Sequence, residues 1–386
     1  MTDTVAPESF SVSTDETARV AEHLVEGKTL PLEWYTSPEV AEAEKKAIFA
    51  SSWHYVGRAA DVEETGMFVT ADIGDVPIVI VRDRDGSLNA FHNVCRHRAA
   101  KVVLDEKGQR RTLQCHYHAW TYGLDGSLKG APRSASEECF PQQQLGLRKA
   151  SAQTWGPFLF AHLADSPADL FDQLGEVPDL IAAAGIDVDD LRFHFRSEYD
   201  IACNWKVAME NYLECYHCPT AHPGFSDVLD TQMDAYQLEL EHTFAWQNGP
   251  LRPLPENAVP RSEGYTGRDG AVPEGRYFAI FPNLKININP GLPNLSIGPM
   301  VPTGPDDCHG ILDYFFSADV TQQWIDDMLV FDDQVGVEDR VLVESVQQGI
   351  RSGSLTEGRI MLQSEALIGG FQKWVLEKYS EGIRGA

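Results

Sequence analysis

Basic residues are scarce in this 386-residue sequence. Lysine and arginine total 31, whereas aspartate and glutamate total 58, and the net charge is −27. This deficit argues against general binding of nucleic acid and against docking on an anionic membrane, because both need a basic surface on the protein. No apolar run approaches the roughly 18 residues that cross a bilayer. We therefore expect neither nucleic acid nor a membrane among the partners.

Cysteine is also sparse, with seven residues in the chain. A secreted disulfide scaffold usually contains cysteine at higher density and in even number. The N-terminus has no basic start and no apolar stretch, so it does not resemble a secretory signal. These observations predict a cytoplasmic protein whose thiols are free to bind metal.

The residue pattern along the chain predicts an α+β protein. Helical periodicity covers about 15–26, 37–53, 166–185, 321–350 and 358–380, with strands near 192–200 and within 237–317 and loops at 249–276 and 290–306. Short β-like runs separated by turn signals occupy the stretch from 54 to 163. The predicted organisation is a mobile lead at 1–14, helices at 15–53 that pack on the last domain, an all-β domain at 54–163 and the last domain at 164–386.

Two short segments each combine a cysteine with a histidine, namely Cys95 with His97 and Cys115 with His118. Four such ligands also suit structural zinc, but zinc sites more often pair two cysteines in one loop and two histidines in the other. One thiolate and one imidazole in each of two loops suit a [2Fe–2S] cluster, with two cysteines on one iron and two histidines on the other. The spacing therefore favours an iron–sulfur cluster.

These mixed loops, with Trp120 after the second, resemble the Rieske proteins. One residue departs from the family pattern, because many Rieske oxygenases have glycine where this chain has Ala99. An added methyl group concerns the local turn geometry rather than ligation. We therefore expect the cluster to be retained.

A second group of candidate ligands lies in residues 203–223, which read CNWKVAMENYLECYHCPTAHP. A helix that continues to about His217 would place Glu210, Glu214 and His217 on one face. Two histidines and one carboxylate form the ligand set that holds non-haem Fe(II) and leaves positions open for O2. The segment therefore predicts part of a mononuclear iron site.

Pro219 is expected to end this helix, so that His222 can turn back toward His217. Cys215 and Cys218 are interleaved with the two histidines. This C-x-x-C pair can be read as a zinc or redox motif, but no second pair accompanies it. We interpret both cysteines as packing residues, since free cysteine behaves as a small apolar side chain.

The carboxylate ligand has to come from another part of the chain. The predicted helix at 331–349 offers five carboxylates, most of which are expected to be solvated. An acidic pair followed by an apolar run and Val-Gln-x-Gly resembles the corresponding helix of Rieske oxygenases and singles out Asp339. Glu338 and Asp333 remain as alternatives.

The resemblance to catalytic α subunits of Rieske non-haem iron oxygenases extends from about Trp53 to about Val375. It implies an α+β fold in which a small all-β Rieske domain is set into a helix-grip catalytic domain, an antiparallel sheet around a long helix. It also implies two cofactors, a Rieske [2Fe–2S] cluster and a mononuclear Fe(II). The implied cluster ligands are Cys95, His97, Cys115 and His118, and the implied iron ligands are His217, His222 and Asp339.

The family resemblance further implies a terminal oxygenase, which is an oxidoreductase that uses O2 and electrons relayed from NAD(P)H. No G-x-G-x-x-G fingerprint for a flavin or NAD is present, so the reductase is expected to be a separate protein. In this family the subunits form a homotrimer, and a bridging carboxylate carries electrons from the cluster of one subunit to the iron of the next. That position maps to Glu214.

Glutamate at position 214, where aromatic-ring dioxygenases usually have aspartate, resembles the subgroup that acts on quaternary ammonium compounds such as carnitine, glycine betaine and stachydrine. The expected reaction is C–H hydroxylation with N-demethylation. The alternatives are a ring-hydroxylating oxygenase of an aromatic acid and a non-catalytic electron-transfer protein, the latter disfavoured by the intact iron ligands. A methylammonium group would favour an aromatic cage. Its candidate residues are Trp246, Tyr277, Phe278, Phe281, Tyr314 and Phe316.

Overall fold

The computed structural model describes residues 13–254 and 264–384. Most of the predicted mobile lead and the centre of the predicted loop at 249–276 therefore lie outside the described residues. The chain divides into two compact units, a smaller one formed by residues 49–172 and a larger one formed by the residues up to 48 and from 173 onward. No helix in the described ranges is both long and apolar enough to cross a bilayer.

The secondary structure follows the α+β pattern expected from the sequence. The helices are α1 (Thr14–Val25), α2 (Pro38–Ala47), α3 (Leu170–Leu174), α4 (Val177–Ala183), α5 (Trp205–Tyr212), α6 (Cys218–Ala221), α7 (Pro223–Val228), α8 (Gln322–Arg351) and α9 (Ala366–Arg384). The strands of the smaller unit are β1 (His54–Arg58), β2 (Met67–Ile73), β3 (Val76–Arg82), β4 (Leu88–His92), β5 (Lys107–Gln109), β6 (Leu113–Gln114), β7 (Thr121–Tyr122), β8 (Leu128–Gly130), β9 (Lys149–Trp155) and β10 (Phe158–His162). The strands of the larger unit are β11 (Leu191–Ile201), β12 (Gln237–Leu240), β13 (Phe244–Pro250), β14 (Glu274–Ile280), β15 (Leu284–Ile288), β16 (Asn294–Pro302) and β17 (Cys308–Ser317).

The smaller unit is an antiparallel β structure. Seven strands pair in the order β1-β10-β9-β4-β3-β2-β5, and β6-β7-β8 form a separate three-stranded sheet. Strand β3 lies between two apolar layers, because successive side chains of a strand point to opposite faces. Ile78 and Ile80 join one buried cluster, and Val79 and Val81 join the other. This packing on both faces gives the unit a core of its own.

The two cysteine–histidine loops of the smaller unit share one backbone conformation. The N–H of Ala99 donates to the carbonyl of Cys95, and the N–H of Ala119 donates to the carbonyl of Cys115, both at 3.0 Å. Both alanines adopt the left-handed conformation, with φ values of 58° and 55°. An L-residue in that conformation costs about 1–2 kcal/mol, which explains the preference of related loops for glycine. Ala99 therefore keeps the turn in the left-handed conformation.

The larger unit is built on an antiparallel sheet in the order β11-β17-β16-β15-β14-β13-β12. The 30-residue helix α8 packs against strand β17 of this sheet. The expected arrangement of an antiparallel sheet on a long helix is therefore confirmed. The buried side chains between them are Leu312, Tyr314, Phe316, Trp324, Ile325 and Met328.

Strand β16 occupies much of the predicted loop at 290–306, so that prediction is wrong. The stretch contains Gly298 and Pro299, which normally argue against a strand interior. Both residues stay paired with β15, but pairing of β16 with β17 is interrupted at them and resumes at Met300, so no hydrogen bond to β17 is demanded of the proline. A side chain at position 298 would collide with the carbonyl oxygen of Ile311, so glycine is required by the close approach of β17.

A buried ion pair anchors the start of helix α5, the helix that leads into the predicted iron ligands. Lys206 is fully buried, and its Nζ lies 2.5 Å from Oε1 of Glu44 on helix α2. The same carboxylate accepts hydrogen bonds from Nε1 of Trp205 at 2.8 Å and from the hydroxyl of Tyr379 at 2.5 Å. Lys206 also donates to the carbonyl of Trp34 at 3.2 Å. These bonds join α2, α5 and α9.

We predict that Lys206→Met lowers the free energy of unfolding of the larger unit by about 3–5 kcal/mol, because Glu44 would be left as a buried, unpaired charge. Urea denaturation followed by circular dichroism measures the loss. Lys378→Met is the matched control, since Lys378 pairs with Glu381 at the surface and such pairs contribute about 0–1 kcal/mol. Equal, small losses in the two variants would contradict the assigned role of the buried pair.

Candidate active site

The segment after helix α5 does not continue as a helix, so the prediction of one helix running to about His217 is wrong. Helix α5 ends at Tyr212, whose carbonyl accepts a hydrogen bond from Nε2 of Gln247 at 2.6 Å. The carboxylate of Glu214 accepts the backbone N–H groups of Tyr216 and His217. A side chain that binds nearby backbone N–H groups competes with helix formation. The chain turns here for that reason.

Two further predictions for this segment are wrong, because helix α5 ends at Tyr212. Pro219 does not end a long helix but lies in the first turn of the short helix α6, where its missing N–H costs nothing. Glu210 does not face the histidines. It accepts hydrogen bonds from the hydroxyl of Tyr35 at 2.6 Å and from Nε2 of Gln372 at 2.9 Å, and burial raises its pKa to about 7. Glu210 is therefore part of the packing between helices.

A disulfide joins Cys215 and Cys218, whose Cα atoms lie 4.9 Å apart. The prediction that both cysteines are free thiols is therefore wrong. Both remain buried, in an apolar cluster with Phe225 and Leu229. The bond closes the turn that presents His217.

Three side chains converge at the end of this turn. Nε2 of His217 and Nε2 of His222 lie 3.0 Å apart, and Oδ1 of Asp339 lies 3.0 Å from Nε2 of His222 and 3.5 Å from Nε2 of His217. Within the described ranges, these three residues form a group whose ligand atoms all lie within 4.8 Å of one another, close enough to hold one metal ion. Metal–imidazole bonds of about 2.1 Å place neighbouring ligand atoms about 3 Å apart, so the donor set fits one metal ion.

The outer nitrogen of each histidine has its own carboxylate. Nδ1 of His217 contacts Oε1 of Glu214. Nδ1 of His222 lies 2.8 Å from Oε2 of Glu338. Such outer partners fix the ring tautomer and leave Nε2 free for a metal. Glu338 therefore supports a histidine from outside the donor set rather than joining the three inner atoms.

Asp339 is held by a residue that the sequence did not single out. Nδ2 of Asn211, in the last turn of helix α5, donates to Oδ1 of Asp339 at 2.7 Å. Asp333, the other alternative ligand, is exposed and lies outside the group. Asn211 stands in the segment 203–223, but the sequence does not show its partner, because Asp339 lies 128 residues further along the chain.

The electrostatics of the group favour a cation. Burial lowers the pKa of His217, but hydrogen bonds to Asp339 and Glu214 raise it further, to about 9. The pKa of His222 is also raised, because Asp339 and Glu338 outweigh burial. The two histidines hold the pKa of Asp339 well below its usual range despite its burial. Two imidazoles therefore share three carboxylates, which is a net negative site.

The four predicted cluster ligands lie at the tips of the two loops in the smaller unit. Cys95 and Cys115 are buried, whereas His97 and His118 are exposed, and the two imidazole ring centroids are 4.6 Å apart. Two thiols on the inner side and two imidazoles on the outer side match the ligand division of a Rieske cluster. The residues present therefore fit that group.

Neighbouring groups also suit thiolates. The hydroxyl of Tyr122 lies 3.3 Å from Sγ of Cys95. Burial raises the pKa of Cys115, while the backbone N–H groups of Tyr117 and His118 lower it, because they donate to the sulfur. The indole of Trp120 stacks on the ring of His97 with 5.0 Å between centroids. These contacts hold the loop tips in place without occupying the four ligand atoms.

The three converging side chains open on a cavity of about 130 Å³. Helix α8 contributes Asp332, Val335, Gly336 and Asp339 to one wall. Aromatic side chains form much of the rest, and they are Tyr199, Tyr212, Phe225, Tyr236, Tyr277 and Phe331.

Of the six aromatic residues considered from the sequence, Tyr277 lines this cavity. The hydroxyl of Tyr314 reaches a cavity residue, since it donates to Oδ2 of Asp332 at 2.5 Å. Phe278 and Phe316 are buried in the core, and Trp246 stacks on Phe278. The remaining candidate, Phe281, packs on Phe371 and Trp374.

Strand β15 provides the polar wall of the cavity. Lys285, Asn287 and Asn289, the residue after the strand, alternate with Ile286 and Ile288, which are fully buried. The period of two places the three polar residues on one face of the sheet. Tyr212 of helix α5 and Asp332 of helix α8 lie against this face, so the amides and the ammonium line the cavity rather than face bulk solvent.

The comparisons with known proteins agree with both units. Residues 188–381 match the family model of the ring hydroxylating alpha subunit (catalytic domain), and residues 52–141 match that of the Rieske [2Fe-2S] domain. The choline monooxygenase of Beta vulgaris is 32% identical over 90% of this chain and 76% of its own length. The carnitine monooxygenase oxygenase subunit of Acinetobacter pittii is 33% identical over 87% of this chain and 89% of its own.

Solved structures give the same result. The quaternary ammonium Rieske monooxygenase CntA in complex with L-carnitine superposes with a TM-score of 0.77 at 31% identity, covering 91% of this chain and 96% of that one. Naphthalene 1,2-dioxygenase from Rhodococcus sp. superposes with a TM-score of 0.78 at 20% identity, covering 96% of this chain and 99% of that one, and shares the fold alone.

The family defines the chemistry of the two sites. The cofactors of this oxidoreductase are a Rieske [2Fe–2S] cluster in the smaller unit and a mononuclear iron in the larger one. Since a match of this extent runs through both units, the chain belongs to the Rieske non-haem iron oxygenases, as a catalytic α subunit.

Proposed function

We propose that this chain is the terminal oxygenase of a multicomponent system that hydroxylates a C–H bond beside the nitrogen of a small quaternary ammonium compound. The observation that carries this proposal is the cavity next to His217, His222 and Asp339, which combines aromatic faces with carboxylates. Relatives named for choline and carnitine oxygenation support the substrate class. We assign Cys95, His97, Cys115 and His118 as the cluster ligands, and the three converging residues as the iron ligands.

The cavity suits a cation that cannot donate hydrogen bonds. A quaternary ammonium group is bound by the negative faces of aromatic rings and by nearby carboxylates. Phe225, Tyr277 and Phe331 pack together at one side, with centroid distances of 5.9 Å and 6.0 Å from Phe225 to the other two rings. Asp332 adds a carboxylate to the same cavity. An aromatic acid carries no positive charge, so it would leave Asp332 without a cationic partner.

The proposed reaction converts an N-methyl C–H into C–OH with one oxygen atom of O2, while two electrons and two protons reduce the other atom to water. The C–N bond of the hydroxymethyl product then breaks, which releases formaldehyde, a tertiary amine and a proton. The bound iron would supply O2 activation, and the cluster would supply an electron that a mononuclear centre does not hold.

The side chains of this chain orient the reacting groups. Glu214 and Glu338 hold the two imidazoles so that both Nε2 atoms point to one place. Asn211 fixes Oδ1 of Asp339 on the same place. The aromatic walls exclude water from the cavity and position the N-methyl group.

The partners follow from the electron requirement. A separate NAD(P)H-dependent reductase is proposed to deliver electrons, and a cytoplasmic setting supplies its cofactor. We further propose a homotrimer in which Glu214 links His217 to His97 or His118 of an adjacent subunit. Tyr216, between Glu214 and His217 in the sequence, is 59% exposed, so this pair lies just beneath the surface where another subunit can approach.

Product analysis tests the function. With O2 and an electron source, the protein is expected to release formaldehyde from choline, glycine betaine or carnitine, or an amine from C–N cleavage. Incubation of benzoate and phthalate under the same conditions is the matched control. A cis-diol or phenol from these acids, without turnover of any quaternary ammonium compound, would replace the proposal with the ring-hydroxylating alternative.

The ligand assignment predicts the iron content of variants. Wild-type protein should contain roughly three irons per chain, two of them in the cluster. Asp339→Ala should contain roughly two irons and lose oxygenation, while its cluster still reduces with dithionite. Glu338→Ala should keep the third site but bind that iron about 10- to 100-fold more weakly, as for other groups that orient a ligand. The reverse pattern in iron and sulfide analysis would identify Glu338 as the ligand.

Glu214 is proposed as an electron bridge and not only as a support for His217. Glu214→Gln should keep both metal centres and a reducible cluster, yet slow the oxidation of the reduced cluster by O2 by orders of magnitude when substrate is bound. Single-turnover absorbance measures this rate. Glu338→Gln is the matched control, because Glu338 supports His222 in the same way. If the two variants oxidise at equal rates, Glu214 acts as a support alone.

A further inference from the structure

Lys285 introduces a positive charge into a cavity that otherwise suits cations. Its Nζ donates to the hydroxyl of Tyr199 at 3.3 Å and lies 5.3 Å from the ring centroid of Tyr212. Among the described residues that line the cavity, Lys285 is the only lysine or arginine. In the described part of the chain this ammonium forms no ion pair, and the carboxylates of Asp339 and Asp332 act on it only through space.

The lysine carries its full charge. Burial lowers the pKa of Lys285, but Tyr199 and the carboxylates of Asp339 and Asp332 raise it, and the net shift is upward. A charge in a confined space is costly unless an opposite charge pairs with it. The two carboxylates influence the ammonium from beyond ion-pair distance, so a direct partner position on Nζ is open to a ligand.

Asp332 provides a matching negative group in the same cavity. Its Oδ2 accepts from the hydroxyl of Tyr314 at 2.5 Å, and its Oδ1 accepts from Nδ2 of Asn289 at 3.4 Å. These bonds orient the carboxylate, and Phe331, the residue before it, lines the cavity with an aromatic face. One cavity thus contains an ammonium and a carboxylate that do not form an ion pair with each other.

We propose that Lys285 binds a carboxylate of the substrate, so that the substrate class is the betaines, in which one small molecule carries a quaternary ammonium and a carboxylate. This inference rests on the proposed function and narrows it. A plain cation such as choline satisfies Asp332 and the aromatic faces but leaves Lys285 unpaired. A betaine satisfies both ends.

The alternative is that Lys285 only offsets the negative charge of Asp332 and Asp339. In that case its removal would change the affinity for every cation, whether or not the ligand carries a carboxylate. The two roles are distinguished by ligands that differ in one group. Glycine betaine and choline differ only in a carboxylate against a hydroxymethyl group, and tert-butylacetate is glycine betaine without the positive charge.

The experiment measures the affinities of the oxidised holoenzyme by isothermal titration without a reductase, so that no turnover occurs. The ligands are glycine betaine, the longer γ-butyrobetaine, choline and tert-butylacetate. The variants are Lys285→Met, Lys285→Gln and Asp332→Asn, each checked for iron content and cluster absorbance. Unchanged binding of choline reports that a lysine variant has folded with its cavity intact.

Wild-type protein is expected to bind at least one betaine tighter than choline by roughly tenfold or more. Both lysine variants should bind that betaine and tert-butylacetate roughly 10- to 100-fold more weakly, with choline unchanged or tighter. Asp332→Asn should weaken the betaine and choline by roughly tenfold and leave tert-butylacetate unchanged.

Two results would overturn the proposal while leaving the oxygenase function intact. One is equal affinity of the wild-type protein for choline and both betaines. The other is a loss of choline affinity in the lysine variants that equals the loss of betaine affinity. If the wild-type protein binds neither choline nor a betaine, the proposed function itself fails, and the inference fails with it.

Discussion

Two histidines can present their Nε2 atoms to one metal only if both outer nitrogens have other partners, and the larger unit depends on this constraint. Glu214 meets it for His217 from within the same turn, and Glu338 meets it for His222 from helix α8. The turn exists because Glu214 also binds two backbone N–H groups that a continued helix would have used. Helix α5, which leads into the turn, is in turn fixed by the buried pair of Lys206 and Glu44.

The same arrangement concentrates negative charge where the fold gains nothing from it. Glu214, Glu338 and Asp339 surround two imidazoles, and Asp332 lies seven residues before Asp339 on helix α8. These carboxylates raise the pKa values of both histidines, because they stabilise the protonated imidazoles. A divalent ion that replaces these protons relieves the repulsion. Binding therefore stabilises the folded state, as for other sites of concentrated charge.

The sequence predicted the parts of both sites that lie in short, specific motifs. The mixed loops at Cys95 and Cys115 and the two histidines of the 203–223 segment could be recognised because their spacing is local. The turn at Tyr212 could not, because it depends on Gln247, which is 35 residues away. The partners Asn211 and Glu338 needed the packing of α5 and α8. Strand β16 was missed because Gly298 and Pro299 read as a loop until the approach of β17 is known.

The alternation of Lys285, Asn287 and Asn289 with buried isoleucines was visible as a strand pattern, but a polar face normally indicates solvent. Tyr212 of helix α5 lies against Lys285 and Asn287, and Asp332 of helix α8 accepts from Asn289, so these two helices turn the face into a cavity wall. The cage residues were unpredictable for the same reason, since an aromatic residue on a strand is assigned to core or cavity by what covers it.

Helix α8 also sets the distance between two carboxylates of the cavity. Asp332 and Asp339 are seven residues apart on one face, which corresponds to about two turns and about 10 Å along the axis. Gly336 lies between them, and a side chain there would meet no atom within 4 Å, so the interval is open space. Because one rigid element carries both carboxylates, the gap cannot widen for a bulkier head group. Under the proposed function, this fixed spacing limits the width of the ammonium group that fits at this end of the cavity.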